Sequence, residues 1–376
     1  MELKTLKYAQ HEGTPNEWRI QDCVLGHINL VVGRNATGKS RMLRVIKGLA
    51  NLVSGDMKLQ YTSGSYDVEF GDDSTMLAYS LTYEDSQVTS ERLAVDGDVR
   101  LERGSDGKGQ IFAELEGRKL EFQTPVSELA CVNRRDLLQH AFFEPLCLWG
   151  KAMRWYPFST PLGKERFALL IKGEEESDVD LKNPDSSVIL FHRASREFPG
   201  VFQRRVIDDM CALGYDVDQI GTGKPQSMKL TTQAPGQVEC LIVNEKDLAC
   251  ETDQHDMSQG MFRALALLIH MNYAELAIEP SCVIIDDIGE GLDFERSSAL
   301  IELLIEKANR TEFQLIMSTN DRFVMNKVPL EYWCILQRSE HGCRILNYAN
   351  SREFFDDFEL TGLSNFDLFS GDFLPR

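Results

Sequence analysis

The chain has 376 residues, 43% hydrophobic and 26% charged, and its 59 acidic against 40 basic side chains leave a formal net charge of −19. That balance excludes a surface that attracts nucleic acid everywhere, though not a local basic groove, and the length suits two or three lobes or one elaborated α/β domain. No apolar run approaches the roughly 18 residues of a membrane span, Met1–Ile20 lacks the basic-then-apolar layout of a signal peptide, and nine scattered cysteines with no C-x-x-C pair suit reduced thiols in the cytoplasm.

In chain order, residues 2–8 and 17–21 alternate as strands do. His27–Val32 is a short apolar strand, and a helix is expected from about Ser40 to Leu52. Between them Gly33, Arg34, Asn35, Ala36, Thr37, Gly38, Lys39 and Ser40 fit G-x-x-x-x-G-K-[ST], the phosphate-binding P-loop. From Gly55 to about Thr124, alternating runs at 57–61, 66–70, 76–83 and 110–113 stand between turn signals, which predicts a meandering antiparallel sheet. From Ser127 to Asp218 the pattern is mostly helical with aromatic clusters, and Val206–Tyr215 reads as a helix ended by glycine. Gly221–Pro225 mimics a second phosphate loop but lacks its spacing, and reads as a plain loop.

Alternation returns at 238–243. A helix over about 258–276, a strand at 282–285, a helix over about 295–309, and strands at 314–317 and near 333–336 follow. Strand–helix alternation of this kind predicts a mostly parallel sheet covered by helices. The expected organisation is an N-terminal half (1–126) with the P-loop and antiparallel β-subdomain, a helical insertion (127–234), and a C-terminal half (235–376).

The residue types point to nucleotide chemistry. A glycine loop curls its backbone so that successive amides face one concavity. The following helix adds unsatisfied N–H groups and a partial positive charge. Lys39 is placed to reach the β- and γ-phosphates of ATP, and Ser40 to hold Mg²⁺. The strand Cys282–Ile285 ends in Asp286 and Asp287. One carboxylate there can share the Mg²⁺, and its neighbour can polarise a water. Ser258 is a natural helix N-cap.

Four motifs in order resemble those of ABC-type P-loop ATPases of the SMC/RecF/OLD branch, in which an Asn is common at the place of Asn35. Ser258-Gln259-Gly260 resembles the signature motif. Cys282 to Asp287 resembles the Walker B strand, and Leu292-Asp293 the D-loop. Ser318-Thr319-Asn320 resembles the switch. The resemblance implies an α/β fold with a mostly parallel sheet, an antiparallel β-subdomain and a helical insertion. It makes Asp286 the magnesium carboxylate, Asp287 the catalytic base and Asp293 the D-loop aspartate. Ser258 and Gly260 then meet the ATP of an opposite subunit. The chain departs from the pattern twice. Asp287 replaces a glutamate and points to a weakened base or slow hydrolysis, with Glu290 as a substitute. Asn320 replaces a histidine; an amide can bond a γ-phosphate but cannot take its proton. Gln139 is one candidate for the Q-loop glutamine.

A narrower resemblance is to compact ATPases of bacterial anti-phage defence systems. It implies a homodimer or higher oligomer that controls a separately encoded nuclease or toxin effector. The alternatives are an ATP-gated DNA clamp in repair or recombination, and a scaffold that holds ATP without hydrolysing it. For DNA, the candidate groove is Arg134, Arg135, Lys151, Arg154, Arg193, Arg196, Arg204 and Arg205. The acidic stretch Glu174–Glu176 reads as a solvated face, and the aromatic–acidic tail 354–369 as a packed helix and loop or as a docking segment.

Overall fold

The computed structural model describes residues 1–72, 74–170, 180, 182–228, 236–277, 281–311, 313–371 and 373, so Glu174–Glu176 lie outside the described residues. Those described fall into two compact units. The first comprises Met1–Met153, Phe313–Asn320 and Val328–Arg376, the second Arg154–Glu312 and Asp321–Lys327. The division does not follow the expected boundaries at 126 and 234. Residues 127–153 sit in the first unit, and 154–234 carry strands as well as helices.

In the first unit the strand Ile28–Val32 is buried along its whole length, as a strand covered on both faces must be. It lies between Gln314–Ser318 and Trp333–Ser339, parallel to both. The last strand of the sequence is in fact a hairpin, Trp333–Ser339 with Gly342–Leu346, and its second arm pairs in parallel with Trp18–Val24. From there the sheet turns antiparallel through Glu2–Gln10 and Ser63–Gly71 to Met76–Glu84, Gln87–Val95, Asp98–Arg103, Lys108–Ala113 and Arg118–Gln123. This is the expected β-subdomain, with one displaced element. Residues 57–61 are not a strand, because Gly55 caps the preceding helix in a left-handed turn (φ 81°) that returns the Met57 N–H to the Asn51 carbonyl.

That helix, Lys39–Ser54, buries Met42, Leu43, Ile46, Leu49, Ala50 and Val53 on one stripe. It packs on Glu144–Ala152 closely enough that a Cβ on Gly150 would stand 2.5 Å from the Ala50 carbonyl oxygen. Inside the β-subdomain Glu91 and Arg103 form a fully buried ion pair at 2.9 Å. Glu91 also accepts from Ala130 N (2.7 Å), Cys131 N (3.0 Å) and the Tyr79 hydroxyl (3.1 Å), so both carboxylate oxygens are satisfied. The tail forms helices Tyr348–Glu359 and Asn365–Ser370, in which Phe355, Phe358 and Leu368 are buried. Phe355 and Phe358 thus pack inside the unit and are withdrawn as anchors for a docking segment.

In the second unit the helix Gln259–Ala277 is apolar on nearly every side and is buried accordingly. The strand Cys282–Asp286 and the helices Ser187–Glu197, Val201–Ala212 and Phe294–Arg310 belong to the same unit. A small antiparallel sheet joins Ala168–Leu170, Gln237–Glu245 and Val217–Gly223, with Thr252–Asp253 paired to the middle strand. Gly221–Gly223 therefore ends a strand paired with Ile242–Cys240, which corrects the plain-loop reading. Cross-strand pairing overrides local turn chemistry there. Among the described residues no helix is long and apolar enough to cross a membrane.

Candidate nucleotide site

The P-loop is shaped by backbone. Ala36 (φ 63°) and Gly38 (φ 108°) both lie in the left-handed region. A Cβ on Gly33 would come within 2.6 Å of Thr37 Oγ1 and 3.0 Å of the Leu336 carbonyl oxygen, so any larger residue there must displace the Thr37 hydroxyl and crowd that carbonyl. Thr37 closes the turn, its N–H and hydroxyl both donating to the Arg34 carbonyl (3.2 and 2.9 Å). Gly38 caps the helix in a left-handed conformation with no side-chain cap hydrogen bond, so no capping side chain stands over the helix N-terminus. Arg34, Asn35 and Ala36 are exposed, Thr37 and Ser40 half-buried. Such a loop fits a polyphosphate: it offers backbone donors in a curl, with no acid in the helix's first turn.

Lys39 is buried to 7% exposure, and its ammonium donates to the Gly33 carbonyl (2.7 Å) and to Asn320 Oδ1 (2.8 Å). The P-loop lysine and the switch asparagine, 281 residues apart, thus meet. Beside them the Arg41 guanidinium stacks 4.0 Å above the Trp18 ring, and burial holds Arg41 below its ordinary pKa. Neither residue carries a sequence signal.

Ser318 and Thr319 lie with Asn320 in the first unit, and the residues from Ser258 to Gly260 and from Cys282 to Asp293 belong to the second. Asp286 ends its strand 5% exposed. Asp287 takes a left-handed conformation (φ 58°), which aspartate tolerates better than glutamate. The turn continues through Gly289 (φ 92°), exposed Glu290 and Gly291 (φ 82°). Asp293 caps the helix Phe294–Arg310 by accepting from Arg296 N at 3.0 Å and pairs with the Arg296 guanidinium. That backbone bond, followed by the side-chain pair, keeps its carboxyl below the usual range.

Ser258 is exposed, and its Oγ accepts from Met261 N at 3.2 Å, capping its own helix. Gly260 packs on the D-loop turn: a Cβ there would stand 2.4 Å from the Gly291 carbonyl oxygen. Gln259 Nε2 is buried without a hydrogen-bond partner among the described residues. Arg263, which the sequence does not flag, clamps this arrangement. Its guanidinium donates to the carbonyls of Ser159 (2.8 Å), Thr160 (2.9 Å) and Glu290 (2.9 Å). Within this unit the signature helix and the D-loop turn are therefore one packed piece.

Other candidates fall elsewhere. Gln139 lies beside the turn after Ala113, its backbone carbonyl accepting from Glu114 N at 3.0 Å, and its Oε1 is buried with no hydrogen-bond partner among the described residues. Of the basic residues proposed for a groove, Arg135 pairs with Glu144, Arg193 with Glu197 and Arg205 with Glu275, and Arg134 bonds the Gln123 carbonyl. Arg154 is buried.

Known proteins supply the fold class. The chain is similar to an SMC head solved bound to the C-winged helix domain of ScpA, with 11% identity, 92% of this chain and 97% of that chain covered, and a TM-score of 0.55. It is also similar to the Smc head with an extended coiled coil bound to the C-terminal domain of ScpA from Pyrococcus furiosus, with 10% identity, 95% and 99% covered, and a TM-score of 0.50. An SMC head domain from Thermotoga maritima aligns at 12% identity over 92% and 99%, with a TM-score of 0.44. The fold is that of an SMC head domain. No protein-family description matches the chain, and no curated protein is similar to it in sequence.

Proposed function

We propose that the protein is a cytoplasmic, Mg²⁺-dependent ATPase that pairs with a second copy around ATP and thereby controls a separately encoded effector, a nuclease or toxin, in defence against phage. The carrying observation is the meeting of Lys39 with Gly33 O and Asn320 Oδ1 in a loop whose backbone curls for phosphates. In this reading Gly33–Ser40 and Lys39 hold the triphosphate, and Asn320 bonds the γ-phosphate in place of the usual histidine. Ser40 and Asp286 are the oxygen ligands assigned to Mg²⁺, which would offset phosphate charge. Asp287 polarises the attacking water, with Glu290 in reserve, and Asp293 is the D-loop aspartate.

The second copy contributes Ser258, Gln259 and Gly260. Contacts to one γ-phosphate from both copies exist only with ATP bound, so hydrolysis shifts the population towards the open state. SMC heads of similar fold were solved with a ScpA domain bound, which supports a polypeptide partner for this chain.

The runner-up is an ATP-gated DNA clamp. The internal ion pairs of Arg135, Arg193 and Arg205, together with the net charge of −19, weigh against it. The test is native mass spectrometry of the protein purified with its chromosomal neighbours, with and without ATP and Mg²⁺. A second polypeptide that is retained in apo protein or released by nucleotide is the expected result. Recovery of this chain alone, as a monomer that pairs with ATP, would transfer the assignment to the clamp.

A further inference from the structure

The residues between Met153–Pro157 and Ala168–Leu170 form a strap against the segment that leads into the signature helix. Its hub is Gln254, which is 0% exposed. Gln254 Oε1 accepts from Leu241 N in the small sheet at 3.1 Å. Its Nε2 donates to the strap carbonyls of Lys164 (2.7 Å) and Arg166 (2.9 Å), with a longer contact to Gly163 (3.3 Å). The strap answers in the other direction: Lys164 Nζ donates to the Met257 carbonyl at 2.5 Å, one residue before Ser258. Its near end is held by Arg263 on Ser159 and Thr160. Its outer side is fixed as well. Gly163 has φ 82°, and a Cβ there would meet the Asp185 carbonyl oxygen at 2.5 Å, while Arg166 pairs with Asp185 at 3.2 Å.

A buried amide with both ends satisfied specifies one geometry, because any displacement strands polar atoms in a low dielectric. Every bond above joins the small sheet or the strap to the peptide carrying Ser258–Gly260, or fixes the strap itself. None of these groups is needed to hold a nucleotide on Gly33–Ser40.

We propose that Lys164 and Gln254 are positioning residues that set Ser258–Gly260 for the nucleotide held by a second copy, and so couple the small antiparallel sheet to pairing. The inference rests on the shared-site reading above. It specifies what keeps the signature segment competent.

The test uses the full chain and the variants Lys164→Met, Lys164→Arg and Gln254→Leu. Nucleotide affinity is read with a fluorescent ATP analogue at a protein concentration where single chains dominate. Pairing is read by sedimentation with ATP and Mg²⁺, with each variant held well below its own unfolding temperature. Lys164→Met is expected to keep single-chain nucleotide affinity within about twofold while weakening ATP-dependent pairing about tenfold or more, the effect of losing one charge-assisted hydrogen bond. Lys164→Arg restores most of the pairing. Gln254→Leu follows Lys164→Met if it folds; half-buried Lys164 carries the test if it does not. Folded Lys164→Met that pairs like wild type overturns the inference alone. Wild type that fails to pair with ATP sinks the shared site, and the inference with it.

Discussion

Gly260 gives the sharpest mechanical test of the second unit. Replacing it with alanine adds one carbon, 2.4 Å from the Gly291 carbonyl oxygen and 3.0 Å from Leu292 Cδ2. The nearer atom is backbone, so no flexible side chain can swing away. The D-loop turn must retreat by at least about 0.6 Å to reach the 3.0 Å that real Cβ atoms respect. Overpacking of this kind costs about 1–3 kcal/mol, offset by several tenths of a kcal/mol of helix propensity gained on losing a glycine. The net is a destabilisation of up to about 2.5 kcal/mol, centred near 1 kcal/mol, and at roughly 2–4 °C per kcal/mol for a unit of this size Tm falls by up to about 10 °C, centred near 3 °C. The assay is differential scanning calorimetry of the full chain, with ATP-dependent pairing measured on the same material. Ser258→Arg is the companion variant. It sacrifices an N-cap worth about 1 kcal/mol, yet it puts bulk and charge where the second copy's phosphate is proposed to sit, so it should abolish pairing with a similar loss of Tm. A Gly260→Ala protein more stable than wild type, showing the propensity gain with no packing cost, would refute the close packing of signature helix on D-loop turn.

Three further outcomes are expected. Lys39→Ala should lower ATP affinity by about 100-fold or more, as loss of charge-assisted bonds to phosphate requires; unchanged affinity by calorimetric titration would end the P-loop assignment. Asp287→Asn keeps a residue that tolerates φ 58°, so Tm holds while turnover falls about 100-fold or more. If it retains turnover and Glu290→Gln abolishes it, Glu290 is the base. The third concerns pH. Burial, then the Arg154 cation, lowers His270 from 6.5 to about 3, and its Nε2 has no hydrogen-bond partner among the described residues. The unfolded chain takes up the proton below pH 6.5 and the folded chain does not, so stability is complete above 6.5 and declines as pH falls towards 3. At 1.4 kcal/mol per unit, about 2 kcal/mol is lost by pH 5. Urea midpoints at pH 7 and 5 should converge more closely in His270→Phe than in wild type; equal pH slopes would contradict this.

What was legible in the sequence, and what was not, divides on physical grounds. The P-loop strand, its helix and the strand before Asp286 were readable because local pattern and burial agree there. The strands Gln87–Val95 and Asp98–Arg103 were hidden by their own charges: Glu91 and Arg103 point into the core, against the rule that charges face water, and only their mutual pairing makes that tolerable. Gly221–Gly223 looked like a loop because glycine is a local signal and its ladder partners lie some twenty residues on. Arg263, Lys164 and Gln254 could not be found by any motif, since their partners are mostly backbone groups, which every residue carries. The Lys39–Asn320 contact joins two residues that the motifs singled out separately, and only the folded chain shows that they meet.

The capping and phosphate-binding readings of Ser258 are not rivals. A serine hydroxyl has two acceptor lone pairs and one proton. Taking the Met261 N–H on Oγ uses an acceptor and fixes the side chain's rotamer, and it leaves the proton to be donated. An incoming phosphate oxygen is an acceptor, so it needs that donor and does not compete for the cap. Asp293 follows the same logic with opposite charge. The backbone bond and Arg296 that make it a cap also keep it ionised and oriented at the start of its helix. Ser258 and Asp293 are therefore each pre-organised by a local capping bond. The entropy of ordering these two side chains is spent on folding, so the pairing proposed for this face would not have to spend it again.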